Sequence, residues 1–136
     1  MTLFHLAFNV TDLDTTRAFY GDLLGCVEGR STNTWVDFNF FGHQLSCHLG
    51  RPFDSAPTGK VGEHDVPMPH FGVVLPMDDW KALAARLTAA GVDFVLEPQI
   101  RFAGEPGEQA TMFFTDPSGN PVEIKGMRDL GDAFAT

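Results

Sequence analysis

Apolar and polar positions alternate almost from the first residue. In LFHLAFNV, Phe4, Leu6, Phe8 and Val10 fall on one face of a strand, and His5, Ala7 and Asn9 on the other. A helix follows: Thr11 or Asp12 can cap it, and Leu13, Ala18, Phe19, Leu23 and Leu24 supply an apolar stripe that stops at Gly25. Three short strands are then predicted, from Cys26 to Arg30, Thr34 to Phe40 and Gln44 to Leu49, punctuated by Ser-Thr-Asn and by Gly42. The order of elements is βαβββ.

The same phrase recurs 65 residues later. His70 repeats His5, Val73 repeats Phe8, Leu75 repeats Val10 and Asp79 repeats Asp14, and a slip of one residue brings Gly25 onto Gly91. A strand from His70 to Leu75, a helix from Met77 to Ala90, and strands from Val92 to Ile100, Gln109 to Thr115 and Pro121 to Lys125 give a second βαβββ set. Two units of this length are too long for a solenoid and too few for a propeller, so two packed modules are expected. The reading is α+β: one domain over 1–136, with module one at 1–50, a linker at 51–68, module two at 69–126 and a tail at 127–136. The linker, RPFDSAPTGKVGEHDVPMP, is rich in Pro and Gly and has no period. The tail is expected to form a short terminal helix.

Composition narrows the function classes. A chain of 136 residues with 43% hydrophobic residues and thirteen Phe can bury a core. A formal charge of −9 argues against nucleic acid as partner. No apolar run of membrane-spanning length and no secretory leader pattern is present, so the expected location is cytoplasmic, with no membrane partner. Cys26 and Cys47 are spaced neither as a metal motif nor as a disulfide framework and are read as reduced thiols.

The chemistry lies on the polar face. If helices cover the apolar face of each sheet, His5 and His70 point the other way. In FFTDPSGNPVEIKG, Val122 and Ile124 share the apolar face and Glu123 takes the opposite one, with the histidines. Two imidazoles and one carboxylate are a common donor set for a divalent cation and leave positions open for water, substrate or oxygen. Aligning GHQLS with GNPVE sets Ser46 opposite Glu123, so a fourth carboxylate ligand is lacking. His48, two residues beyond Ser46, faces the same way and is the candidate acid/base group. Trp35, Asp37 and Asn39 alternate with Val36, Phe38 and Phe40 and, with Ser46, are expected to line the pocket. Arg101, in the loop before GEPGE, is the candidate cation for an acidic substrate. His43 is expected in a turn, His64 in the linker, and Cys47 in the core.

HLAFNVTDLDTTRAFYGDLLG and FFTDPSGNPVEIKG resemble the vicinal oxygen chelate superfamily, which includes glyoxalases, extradiol dioxygenases, fosfomycin-resistance transferases and bleomycin-binding proteins. The likeness covers nearly the whole chain. VDFNFFGHQLSCHL, PHFGVV and GEPGEQATMFF look most like small single-domain members described as predicted extradiol dioxygenases. The resemblance implies paired βαβββ modules forming an open half-barrel sheet around a metal, with ligands on the first strand of each module and the last strand of the second, which correspond to His5, His70 and Glu123. It implies a small-molecule substrate with vicinal oxygens and a homodimer. Fe²⁺ suits oxygen chemistry best, with Mn²⁺, Ni²⁺ or Zn²⁺ as alternatives. A glyoxalase-like lyase or isomerase, or a bleomycin-type binding protein, are the other activities the superfamily offers. Tyr20, the single tyrosine, corresponds to a packing position, so the tyrosine used by larger extradiol enzymes has no counterpart.

Overall fold

The computed structural model describes residues 1–135. Contacts divide the chain into two compact units, the first Met1–Asp54 with Asp116–Asn120, the second Ser55–Thr115 with the segment from Pro121 on.

Unit one holds β1 (His5–Val10), a helix, β2 (Val27–Ser31), β3 (Trp35–Phe40) and β4 (His43–Leu49), in sheet order β1-β4-β3-β2. β1 runs parallel to β4 and the remaining pairs are antiparallel. The alternation behaves as expected from Phe8 on: Phe8, Val10, Val36, Phe38, Phe40, Leu45 and Cys47 are buried. Phe4, expected on the apolar face, precedes the strand and is 64% exposed. Asp12 caps the helix, its carboxylate accepting from Thr15 N at 2.7 Å. The helix is α-helical only over α1 (Leu13–Thr16); Arg17–Leu23 is π-helical, and Leu24 N donates to Phe19 O at 3.0 Å. Of the expected stripe Phe19 and Leu24 are buried; Thr16 and Tyr20 join them, and Ala18 faces solvent.

The segment Asp116–Asn120 completes unit one through a buried carboxylate. Asp116 Oδ1 accepts from the backbone of Ser118 and Asn120, and Oδ2 from Asn120 Nδ2 at 3.0 Å and from Tyr20 Oη at 2.9 Å. Asn120 Nδ2 also donates to Asn9 O. Tyr20 is fully buried, packed edge-on to Phe8, Phe19 and Phe40. Burial first, and Asp116 second, push its phenol well above the ordinary range.

Unit two repeats the topology with β7 (Phe71–Pro76), α2 (Met77–Ala89), β8 (Leu96–Arg101), β9 (Gln109–Thr115) and β10 (Pro121–Met127), in sheet order β7-β10-β9-β8. Ala7 pairs with Ser46 in the first sheet and Gly72 with Glu123 in the second, so the 65-residue offset and the Ser46–Glu123 equivalence are both kept in the ladders. Met77, Trp80, Leu83, Ala84 and Leu87 form the buried stripe of α2, and Trp80 Nε1 donates to Ile124 O at 2.9 Å. A Cβ on Gly126 would come within 2.7 Å of the Trp80 side chain, so glycine there admits the indole. β8 starts four residues later than expected, and the tail forms a 3₁₀ turn at Leu130–Phe134.

The largest departure is in 51–68. This stretch contains an antiparallel hairpin, β5 (Ala56–Val61) and β6 (His64–Met68), turning at Gly62 with φ +59°. Val66 is 2% exposed and clusters with Leu96 and Phe113. Phe113 pairs with Glu123 across the ladder and so projects from the face opposite α2; the hairpin covers part of that face. A stretch whose own pattern is polar thus becomes ordered through one buried valine and one cross-strand ion pair, Lys60 with Asp65.

Candidate functional site

Unit two gathers the strongest cluster. His70 stands immediately before β7 rather than inside it, half-buried, its ring edge-on to Phe113 at 4.8 Å. Its Nδ1 lies 2.7 Å from the carbonyl oxygen of Pro67 on β6. A carbonyl can only accept, so Nδ1 carries a proton and Nε2 is the nitrogen left for chemistry. Nε2 lies 3.2 Å from Glu123 Oε1. Thr111 Oγ1 donates to the other carboxylate oxygen, Oε2, at 2.5 Å. Glu123 is therefore held from one side by β9, and His70 by the hairpin.

With neutral imidazole, two lone pairs would face each other across 3.2 Å. A proton on Nε2 or a cation bound by both atoms relieves that repulsion. Two donors bound at about 2.1 Å to one ion, at right angles, stand about 3.0 Å apart. The pair fits a divalent ion, and the hydrogen bonds from Thr111 and to Pro67 are of the kind that orient metal ligands. Among the described residues no group of three or more His, Cys, Asp and Glu side chains is gathered that could hold a metal ion. Two of the three expected donors are thus brought together. His5, exposed at the head of β1 and paired with Gln44, belongs to unit one.

The pair opens into a cavity of about 450 Å³ within unit two, bounded by the hairpin and by Arg101, Thr111, Glu123 and Lys125. Arg101 is the last residue of β8, not part of a loop, and its guanidinium lies 5.3 Å from the centre of the Phe102 ring.

Unit one carries the other expected pocket residues on one face. Asp37, Ala7 and Ser46 lie side by side on neighbouring strands, and Trp35, His48 and Asn9 form the next row. Ser46 Oγ donates to Asp37 Oδ1 at 2.6 Å, which fixes both groups. Trp35 stacks on His48 with ring centres 6.0 Å apart. His48 is exposed. Trp35, Asp37 and Asn39, with Arg30 and His43, border a wide depression of about 810 Å³. His43, expected to be solvated in a turn, opens β4 and accepts from Phe4 N at 3.1 Å; His64 opens β6. Cys47 and Cys26 are buried free thiols; burial raises Cys26 to about 11 and raises Cys47 as well.

Sequence reasoning missed the supporting residues. Thr111 shares the parity of Glu123's neighbours in QATMFFT and was legible; Lys60 and the Pro67 carbonyl, inside a stretch read as linker, carried no signal.

Two four-stranded sheets of identical strand order, one in each unit, are the sheet topology of the vicinal oxygen chelate kind. The model of the glyoxalase/bleomycin resistance protein/dioxygenase superfamily matches residues 2–124, and this chain belongs to that superfamily. A glyoxalase/bleomycin resistance protein/dioxygenase from Alicyclobacillus acidocaldarius is 32% identical, with a TM-score of 0.74 over 99% of this chain and 96% of that one. Two more distant structures share the fold. A fosfomycin resistance protein from Listeria monocytogenes is 19% identical (TM-score 0.68, 97% of each chain), and a lactoylglutathione lyase from Agrobacterium tumefaciens is 18% identical (TM-score 0.63, 99% of this chain and 97% of that one). No described helix is long and apolar enough to cross a membrane.

Proposed function

We propose that this chain is a metal-dependent enzyme acting on a small substrate with two neighbouring oxygens, with extradiol-type oxygenation as its reaction. The observation that carries the reading is the pair His70 Nε2–Glu123 Oε1 at 3.2 Å, each partner oriented by its own hydrogen bond. His70 and Glu123, which stand together in unit two, hold the ion, and the superfamily resemblance adds His5 as the third ligand. Serine at the position equivalent to Glu123 supports three protein ligands rather than four, which suits a chelating substrate. When bound, the ion acts as a Lewis acid that lowers the substrate's pKa. The chain's own part is to orient and to move protons. Thr111 keeps Glu123 in place, Arg101 attracts an acidic group of the substrate, and the hairpin shields the cavity from water; His48, on unit one, is the acid/base residue to which the sequence pattern points. Fe²⁺ is the favoured ion, with Mn²⁺, Ni²⁺ and Zn²⁺ as the alternatives to be assayed.

Elemental analysis after anaerobic reconstitution tests the metal, and oxygen uptake with a panel of catechols tests the reaction. Near-stoichiometric Fe²⁺ with oxygen-dependent turnover supports the proposal. Turnover unchanged under argon replaces it with a lyase or isomerase. A protein that takes up no metal yet binds small ligands replaces it with a binding protein.

A further inference from the structure

The cavity of unit two has a charge at odds with the rest of the molecule. The chain has nine Lys and Arg against eighteen Asp and Glu, yet three of those cations, Lys60, Arg101 and Lys125, line this one cavity, and Glu123 is the single carboxylate among its lining residues. Among the described residues Arg101 and Lys125 pair with no carboxylate, whereas Lys60 pairs with Asp65.

Strand register sets how the two free cations meet. Arg101 on β8 pairs with Gln109, and Lys125 on β10 pairs with Thr111, both on β9. Gln109 and Thr111 are two residues apart, so all four side chains project from the same face. Arg101 and Lys125 thus flank β9 from either side, two strand spacings of about 4.8 Å apart and staggered by about 7 Å along the strand, a span that two long side chains can bridge. Glu123, two residues before Lys125, places the imidazole–carboxylate pair beside them. Lys60 enters from the hairpin. Two cations without carboxylate partners, Lys125 half-buried and Arg101 exposed at the cavity's edge, lower the cost of bringing a negative ligand to an acidic protein and focus its approach.

We propose that the substrate of this cavity carries an oxyanion, a carboxylate or a phosphonate, which Arg101 and Lys125 clamp over Gln109 and Thr111 while Lys60 closes over it from the hairpin. This rests on the proposed function for the location of the reacting oxygens, but the clamp itself needs no metal. Titration of chelator-treated protein with phenylphosphonate, benzoate and the neutral benzamide, followed by calorimetry, tests it, and the first two probes distinguish the two oxyanions.

One or both anions bind and benzamide does not. Arg101→Gln with Lys125→Gln weakens the bound anion at least tenfold, as does raising the salt concentration. Lys81→Gln, on the helix and outside the cavity, leaves binding unchanged. Circular dichroism confirms that each variant is folded. Equal binding of benzamide, an unaltered affinity in the double variant, or no anion binding by the folded wild type overturns the clamp. Because the metal is measured separately by elemental analysis, loss of the clamp with metal retained, or of metal with the clamp retained, shows which of the two proposals has failed.

Discussion

Replacing Tyr20 by Phe removes a single hydroxyl from the most buried polar cluster in the molecule. Tyr20 is fully buried and its Oη donates to Asp116 Oδ2 at 2.9 Å. A hydrogen bond to a charged acceptor contributes about 1.5–3 kcal/mol. The carboxylate keeps three other donors, the backbone of Ser118 and Asn120 and Nδ2 of Asn120, so no charge is stranded. The ring, its packing and its volume are unchanged. Tyr20→Phe therefore costs about 2 kcal/mol. Asp116→Ala removes the acceptor for all four donors and leaves the buried phenol unpaired, which raises the cost to about 4 kcal/mol. Urea unfolding followed by far-UV circular dichroism measures both, and the double variant completes a cycle whose coupling should be about 2 kcal/mol. A Tyr20→Phe protein within about 0.5 kcal/mol of wild type would refute the reasoning, because surface-like changes fall in that range.

Three other outcomes are expected. Gly72→Ala would place a Cβ 1.5 Å from the backbone oxygen of Glu123, so the parallel pair must part; a loss of more than about 3 kcal/mol in thermal unfolding, and of bound metal, is expected. Stability should fall as pH rises above about 9, because the folded-state pKa values of Cys26, Cys47 and Tyr20 are raised: their contribution is whole below the unfolded values and is lost as pH climbs toward the folded ones. Cys26→Ser with Cys47→Ala should shift the onset of that alkaline loss upward in pH, read by fluorescence at fixed temperature. Thr111→Val keeps shape but removes the donor to Glu123 Oε2, and metal affinity should drop about tenfold while His70→Gln abolishes retention; equal retention in all three proteins counts against the site.

Strand and sheet organisation was legible because it is written in short-range periods. Alternation placed Val36, Phe38 and Phe40 inside and Trp35, Asp37 and Asn39 outside, and the 65-residue repeat implied that both sheets would share one strand order. A period of two reports which face a residue takes whatever the surroundings, which is why Glu123 could be set against Val122 and Ile124 from sequence.

What tertiary structure alone decided depends on partners far along the chain. The hairpin at 56–68 has mostly exposed residues with Pro and Gly among them, and its buried side chain, Val66, packs with Leu96 and Phe113, some 30 and 47 residues away, with Val61 against the same cluster. The signs that could have found it were weak: glycine at a two-residue turn and opposite charges at Lys60 and Asp65. The π-helical turn over Arg17–Leu23, which carries Tyr20 against Asp116, left no mark in composition. His70 was recognisable as a candidate ligand, but the choice of Nε2 over Nδ1 came from a carbonyl three residues earlier, fixed by the hairpin that local pattern did not reveal. Local sequence sets which way a side chain points; only packing between distant segments sets which atom is left free to react.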